Sequence, residues 1–216
     1  MEITTMLQLL GKGALISLEI FTVTLVGSLI LGLGICMIRM SKWTVLRILA
    51  KVYISVMRGT PLMLQLFVVY FGPFYLFGIS TGSSYKMIAV FIGFVLNYAA
   101  YFAEIYRAGI ESIPIGQYEA ANMLGYGRVS TFFYIIMPQV IKRIIPPVTN
   151  ETITLIKDTS LAFTLAVAEM FTIAKQIAAG TRSMTAFVLA GIIYYVFNLL
   201  VAGAFAKLEK KLSYYR

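Results

Sequence analysis

The sequence has 216 residues, of which 60% are hydrophobic and 12% are charged, and its mean hydropathy is +0.86. These values exclude an ordinary soluble domain and predict one all-α integral membrane domain over residues 1–216. The net charge of +9 does not indicate nucleic-acid binding, because the basic residues lie between apolar runs. With no histidine and one cysteine, neither an intrachain disulfide nor a His/Cys metal site is predicted.

Five apolar runs are long enough to cross a bilayer, which takes roughly 20 helical residues. They are predicted at about residues 13–38, 52–77, 87–110, 131–156 and 185–206. The second and fifth are the clearest, because no charge interrupts their cores. The fourth contains Pro138, Pro146 and Pro147, which break or kink a helix, so its freed backbone groups need neighbouring helices or a water-filled cavity.

Basic residues in the short connecting segments predict the orientation of the chain. Half of the 18 basic residues lie in two segments. Arg39, Lys42, Arg47, Lys51 and Arg58 lie at the connection of the first two runs, and Lys207, Lys210, Lys211 and Arg216 follow the fifth run. Both segments are therefore predicted to face the cytoplasm and its anionic lipid. This puts the N-terminus outside the cell, and it puts the C-terminus and the segment after the third run inside.

A polar segment rich in glycine and proline, residues 107–139, separates the third and fourth runs. Pro114 cannot continue the helix before it. A helix of about two turns is predicted next, from Gln117 to Leu124, with Glu119 in its first turn, where the helix dipole favours a carboxylate. So short a helix needs something to pack against.

Small residues on this short helix allow two interpretations. Ala120, Ala121 and Gly125 leave one side with little side-chain bulk, so another protein could approach the backbone closely. Alternatively, the segment is a plain surface turn between two membrane helices, where a tight turn requires small residues. The spacing alone leaves both interpretations open.

A family resemblance favours the first interpretation. The residues Glu119-Ala120-Ala121, then Gly125, Ile135, Met137 and Pro138 resemble the EAA motif of binding-protein-dependent ABC transporter permeases, with methionine where leucine is usual. Three further stretches are similar to the polar amino-acid permeases, which include histidine, arginine, glutamine and cystine systems. They are residues 99–121, residues 58–66 (RGTPLMLQL) and residues 150–162 (NETITLIKDTSLA). The resemblance extends from about Leu15 onward.

The resemblance implies a type I importer permease fold, with about five transmembrane helices and a short cytoplasmic coupling helix between the third and fourth. It implies a permease subunit of an ATP-driven importer for polar amino acids, in a prokaryotic plasma (inner) membrane. The expected partners are a separate ATPase, a second permease chain, identical or related, and an extracytoplasmic amino-acid-binding protein. The residues that the resemblance assigns to ATPase coupling are Gln117, Glu119, Ala120, Ala121, Leu124 and Gly125.

The chain itself is not predicted to be an enzyme. No P-loop of the form G-x-x-x-x-G-K-[ST] occurs in the sequence. ATP and Mg²⁺ are therefore expected on the partner ATPase, and no cofactor is expected in this chain. A stand-alone channel or secondary transporter is the alternative function, although no selectivity filter or inverted repeat is evident. A membrane scaffold without transport would leave the short helix unexplained.

Ionisable and amide side chains inside apolar runs mark a possible substrate path, because such groups normally face a cavity or a partner. The candidates are Asn97, Asn150, Glu151, Lys157 and Asp158. Four of them follow Pro146 and Pro147, where a broken helix could open onto water. Carboxylate and amide groups suit an amino acid, and Glu151 would favour a cationic side chain. The alternative is that Lys157 and Asp158 pair with each other or simply lie at the outer membrane edge, while Glu151 caps the broken helix.

A charged triplet at the end of the third run also allows two interpretations. Glu104, Arg107 and Glu111 are spaced three and four residues apart, on one face of a helix. Local ion pairs at the membrane boundary are the favoured interpretation, worth a few tenths of a kcal/mol each. A role in gating is the alternative.

Overall fold

The structure of the protein is a computed structural model that describes residues 2–80 and 82–212. Arg216, one of the predicted cytoplasmic charges, lies outside these residues. Within them the chain forms helices and no strand. The α-helices are α1 (Ile3–Arg39), α2 (Thr44–Gly59), α3 (Leu62–Phe77), α4 (Tyr85–Glu111), α5 (Ile115–Met123), α6 (Arg128–Ser130), α7 (Met137–Asp158), α8 (Met170–Thr181) and α9 (Thr185–Leu212). A π-helical turn, Thr131–Ile136, precedes α7, and a 3-10 helix, Thr159–Leu165, follows it.

Three of these helices, α1, α4 and α9, are each long and apolar enough to cross a membrane. Two bent helix pairs raise the number of candidate spans to five if each pair counts as one crossing: α2 with α3, and residues 128–165 with α8. The predicted all-α membrane fold with about five spans is therefore confirmed, and the short helix α5 lies between the third and fourth spans.

The second run does not form the single continuous helix that its composition predicts. α2 and α3 meet at an angle of 112°. Pro61 has no N–H to donate and pushes Thr60 out of the α region, so Thr60 is extended, with φ −122° and ψ 148°. The Gln65 side-chain amide donates to the carbonyls of Met57 and Thr60, at 3.0 and 3.1 Å. These bonds satisfy backbone groups that the break leaves free.

Helix α4 occupies the centre of the fold and packs against α1, α2, α3 and α7. Its aromatic side chains Phe94, Tyr98 and Phe102 are fully buried in the main core. Tyrosine hydroxyls supply polar contacts between the helices, because a hydroxyl in an apolar layer needs a partner. Tyr53 of α2, for example, donates to the backbone carbonyl of Leu96 at 2.5 Å.

The fourth run differs from its prediction in where it breaks. Helix α7 continues through Pro146 and Pro147 to Asp158, so the predicted opening at these prolines is wrong. Two backbone donors are lost there, but packing of α7 against α4 and α9 holds the helix together. The wider π-helical turn precedes Pro138, whose ring would clash with the Tyr134 carbonyl in a regular α-helix.

The actual break follows α7 and was not predicted. The chain passes through the 3-10 helix to Ala166, which has a left-handed backbone with φ +53°, and then turns by 60° into α8. No glycine or proline occurs at this bend, so the sequence contains no residue type that predicts a break there.

Candidate functional site

The short helix α5 has the position and length that the sequence predicts, but its boundaries are Ile115–Met123 rather than Gln117–Leu124. Its end is a Schellman motif, in which the Tyr126 N–H donates to the Ala121 carbonyl at 3.0 Å. Gly125 provides the left-handed residue of this motif, with φ +81°. The turn interpretation therefore gives a sufficient structural reason for Gly125.

One of the alanines predicted on the open side of α5 instead faces the chain's own interior. Ala121 is only 1% exposed, so it cannot form part of a surface that another protein approaches. The reason is that Tyr118 and Ala121 lie on the same helical face three residues apart, and this face is turned inward. Tyr118 packs against a small buried cluster formed by Ile113, Ile136 and Val140.

The other residues of the predicted coupling surface are exposed to solvent. Five of the six assigned residues are exposed: Gln117, Glu119, Ala120, Leu124 and Gly125. Large apolar side chains flank them, since Ile115, Met123 and Leu124 are 74%, 88% and 75% exposed. Apolar side chains grouped on a short polar segment between two membrane helices are typical of a protein–protein contact surface.

Two side-chain contacts connect α5 and its entry to α7. The Gln139 amide donates to the Gln117 side-chain oxygen at 3.3 Å. The Arg143 guanidinium donates to the backbone carbonyl of Ser112, just before α5. These two contacts therefore link α5 and its entry to the first two turns of α7, the helix that carries Glu151.

Substitutions at Gly125 can separate strain in the turn from contact with a partner. Gly125→Ala is expected to cost about 1–2 kcal/mol, because an L-residue is strained at its positive φ. No atom of the described residues outside this turn lies within 4 Å of the point that a Cβ would occupy. Gly125→Leu therefore adds bulk that only a partner would meet, and we expect substrate uptake to fall well below that of Gly125→Ala.

Gly127→Leu is the matched control, because this position is equally open but has an ordinary φ of −69°. Uptake normalised to the amount of permease in the membrane is the measurement. Equal uptake by Gly125→Ala and Gly125→Leu would mean that Gly125 serves the turn alone.

A charged cavity of about 500 Å³ lies between α4, α7 and the end of α2. Its lining includes two cationic and two anionic side chains, which are Arg58, Arg143, Glu104 and Glu151. The Arg58 guanidinium also lies 5.3 Å from the centre of the Tyr101 ring. Of the five residues predicted for the substrate path, Glu151 lines this cavity.

The charged triplet at the end of α4 forms the predicted local ion pairs. Arg107 contacts Glu104 at 2.7 Å and also pairs with Glu111. Arg39 of α1 approaches Glu104 at 3.9 Å, which joins the two helices. Glu104 is the member of this network that lines the cavity.

The other acidic candidate, Asp158, lies two turns beyond Glu151 on the same face of α7. It accepts a hydrogen bond from the Tyr98 hydroxyl at 2.7 Å. Within the described part of the chain no ion pair joins it to Lys157, which is exposed. The ion pair that the alternative interpretation allows between these two residues is therefore not formed.

The two predicted amides are in different surroundings. Asn97 is buried, and its side-chain nitrogen donates to the Met57 carbonyl and to the Gln65 side-chain oxygen, both at 3.0 Å. It therefore stabilises the break between α2 and α3. Asn150 is exposed on α7 beside Glu151.

A buried carboxylate that was not among the predicted site residues lies at the start of α8. Glu169 is 0% exposed and accepts hydrogen bonds from the N–H groups of Phe171 and Thr172 at 2.7 and 2.6 Å. The hydroxyls of Thr172 and Tyr194 also donate to it, at 2.8 and 3.4 Å. Glu169 is an isolated carboxylate in an apolar stretch of the sequence, and this isolation is the signal that could have identified it.

Helix α1 is in close contact with the same helix start. The Met170 N–H donates to the Ser17 hydroxyl at 3.2 Å. A Cβ added at Gly13 would lie 2.7 Å from the Met170 Cα, so only glycine permits this approach. Glu169 therefore lies at a junction of α1, α8 and α9.

Comparison with known proteins identifies the family. Residues 24–214 match the family described as binding-protein-dependent transport system inner membrane component. The chain belongs to this family. Its members are membrane components of transporters and form no catalytic family, so the predicted permease is confirmed over a stand-alone channel or secondary transporter.

Relatives match nearly the whole chain. The "Probable amino-acid ABC transporter permease protein YckA" of Bacillus subtilis is 42% identical over 207 residues, covering 94% of this chain and 89% of the relative. The octopine transport system permease OccM of Rhizobium radiobacter is 36% identical, covering 90% of this chain and 81% of the relative. The L-cystine transport system permease TcyB of Bacillus subtilis is also 36% identical, covering 96% and 88%.

Solved structures share the fold of this permease. A crystal structure of an amino acid ABC transporter with histidines has a TM-score of 0.87 and 29% identity, covering 98% of this chain and 99% of that chain. An inward-facing structure of the MetNI methionine ABC transporter has a TM-score of 0.76 at 16% identity, with the same coverage, and supports the fold alone. The chain is thus a permease component of the ABC importer type.

Proposed function

We propose that this chain is the membrane subunit of an ATP-driven importer for polar amino acids. The observation that carries the substrate class is the group of relatives, named for amino acids, cystine and octopine, that match over 90% or more of this chain. Octopine is a derivative of an amino acid, so all of these substrates share an ammonium and a carboxylate. The whole chain would form one membrane domain, and a second permease chain would complete the path.

The charged cavity suits such a substrate. A zwitterion needs a cation near its carboxylate and an anion near its ammonium, and the cavity offers Arg58 and Arg143 together with Glu104 and Glu151. Its volume of about 500 Å³ is within the range of small-molecule sites. Asp158 would extend the acidic side of the path along α7, with Asn150 and Lys157 at its exposed edge.

Driving force would come from a separate ATPase that binds α5 from the cytoplasm, with ATP and Mg²⁺ on that subunit. Closure of the ATPase pair would displace α5, and the contacts from Gln139 and Arg143 would carry the displacement to α7. The cavity would then alternate between inward-facing and outward-facing states. This arrangement requires an external N-terminus, a cytoplasmic C-terminus and an extracytoplasmic protein that delivers the substrate.

Glu151→Gln tests the preference of the cavity for cationic amino acids. Removing one carboxylate that faces the substrate is expected to lower the preference for arginine over glutamine by about tenfold, the value of one charged hydrogen bond. The measurement is competition in uptake by the reconstituted importer. Glu19→Gln is the control, because Glu19 is exposed on α1 and does not line the cavity. An unchanged preference would remove Glu151 from the substrate path.

Co-purification tests the proposed assembly. A tagged chain extracted from its native membranes in mild detergent is expected to carry a P-loop ATPase in fixed stoichiometry, together with a permease chain. Isolation of the chain without an ATPase, combined with uptake by the isolated chain, would overturn the proposal.

A further inference from the structure

Two side-chain amides replace a helical hydrogen bond at the break between α2 and α3. In a continuous helix the Met57 carbonyl would accept from the N–H of residue 61, but Pro61 has none. The Gln65 and Asn97 side chains donate to this carbonyl instead, both at 3.0 Å, and they are joined to each other at 3.0 Å. The Met57 carbonyl belongs to the peptide that leads into Arg58. The two amides therefore fix the backbone from which the Arg58 side chain extends.

The Arg58 side chain is held by the same face of α4. Asn97 and Tyr101 are four residues apart and Glu104 follows three residues later, so these three share one helical face. The Arg58 guanidinium lies 5.3 Å from the centre of the Tyr101 ring, which is a cation–π contact. Arg58, Tyr101 and Glu104 all line the charged cavity. One face of α4 therefore holds the backbone of Arg58 through Asn97 and its guanidinium through Tyr101.

Two of the charged side chains that line this cavity are committed to contacts within the chain. Glu104 belongs to the ion-pair network at the end of α4, and the Arg143 guanidinium donates to a backbone carbonyl just before α5. Arg58 and Glu151 form no ion pair within residues 2–80 and 82–212. The Arg58 side chain is exposed, so a ligand can reach it. The cavity thus keeps one cation and one anion available for a substrate.

We propose that Arg58 binds the α-carboxylate of the transported amino acid and that Gln65 and Asn97 are its positioning residues. This inference rests on the proposed function, because it names the substrate group that the cavity recognises. A guanidinium can present two parallel N–H groups to a carboxylate, and one that is held in advance loses little freedom on binding. Neither Gln65 nor Asn97 lines the cavity, so both act through Arg58.

Comparison of an amino acid with its α-carboxamide tests recognition of the carboxylate. The complex of permease and ATPase is purified without the binding protein, so that the selectivity of the binding protein does not contribute. Binding of L-arginine, L-histidine and L-glutamine is measured by equilibrium dialysis, and the tightest binder is compared with its α-carboxamide. Arg58→Gln is expected to lower the preference for the carboxylate form by about tenfold or more, the value of one charged hydrogen bond.

A double-mutant cycle tests the positioning residues. Asn97→Ala is expected to lower the carboxylate preference about fivefold, the value of one neutral hydrogen bond, while binding of the carboxamide changes little. In a chain that already carries Arg58→Gln, Asn97→Ala is expected to have no further effect on this preference. Gln65→Ala removes the second amide and replaces Asn97→Ala in the cycle if that variant does not fold.

Tyr53→Phe is the matched control for a general loosening of the helices. It removes another hydrogen bond between α2 and α4, the one to the Leu96 carbonyl, and leaves both donors to the Met57 carbonyl in place. Its carboxylate preference is expected to equal that of the unmodified chain. The midpoint of thermal unfolding is measured for every variant, so that a loss of stability is recorded separately from a loss of preference.

Four results would overturn the inference while leaving the importer in place. An unchanged preference in Arg58→Gln would mean that the carboxylate binds elsewhere. Full retention of the preference in both Asn97→Ala and Gln65→Ala would remove the positioning role. A further loss on adding Asn97→Ala to Arg58→Gln, or an equal loss in Tyr53→Phe, would mean that the amide does not act through Arg58. Failure of the unmodified complex to bind any of the three amino acids would overturn the proposed substrate class as well, so the two failures are distinguishable.

Discussion

Changing Glu119 to lysine is expected to lower ATP-driven uptake by at least about thirtyfold while the amount of protein in the membrane stays the same. Glu119 is exposed on α5, and no side chain of the described residues forms an ion pair with it. The substitution therefore changes little inside the chain. At a docked interface it would leave a cation facing groups arranged for a carboxylate, which costs about 2–5 kcal/mol.

Two measurements on the same vesicles distinguish uncoupling from loss of assembly. Substrate uptake is compared with ATP hydrolysis by the complex, each normalised to the amount of permease. We expect hydrolysis to persist or to lose its response to substrate, while uptake is lost. Glu2→Lys, the same charge change at the exposed N-terminus, is expected to leave both activities intact. Normal uptake by Glu119→Lys would count directly against a docking role for α5.

Replacing Glu169 with alanine is expected to destabilise the chain by about 3 kcal/mol or more. The substitution removes the acceptor for two backbone N–H groups and two hydroxyls in a fully buried position, and each unsatisfied donor costs about 1–3 kcal/mol. For a chain of this length, the midpoint of thermal unfolding in detergent would fall by about 6–12 °C. Uptake would fall with it, because the junction of α1, α8 and α9 loosens.

Graded variants test this explanation of Glu169. Glu169→Gln keeps one acceptor oxygen, so its unfolding midpoint is expected between those of the unmodified chain and Glu169→Ala. Glu19→Ala removes an exposed carboxylate from α1 and is expected to change the midpoint little. If Glu169→Ala unfolds at the same temperature as Glu19→Ala, the capping contacts do not stabilise the junction.

The sequence predicted those helices that depend on the length of an apolar run. The apolar runs around α1, α4, α7 and α9 were long enough to predict those helices. Helix α5 was predicted from the positions of Pro114 and Gly125. Hydropathy does not report backbone geometry, so it merged α2 and α3 across Pro61. The prolines led to the prediction of a break at Pro146, which the packing of α7 prevents.

The candidate site was predicted only in part, because it depends on which way side chains face. Ala120 and Ala121 are neighbours in the motif, yet one is exposed and the other is buried. Asn97 and Glu151 were assigned to one substrate path. Asn97 instead stabilises the break between α2 and α3 through its hydrogen bond to Gln65. Arg58 and Arg143, which line the cavity with Glu151, come from helices that only the tertiary fold brings together.

This chain is expected to move substrate only when a separate ATPase acts on α5. The most direct test is amino-acid uptake into vesicles that contain the purified permease, its binding protein and ATP, with and without the P-loop subunit. We expect uptake only in vesicles that contain the ATPase and hydrolysable ATP. Uptake at the same rate without the ATPase would mean that transport does not depend on a partner at α5.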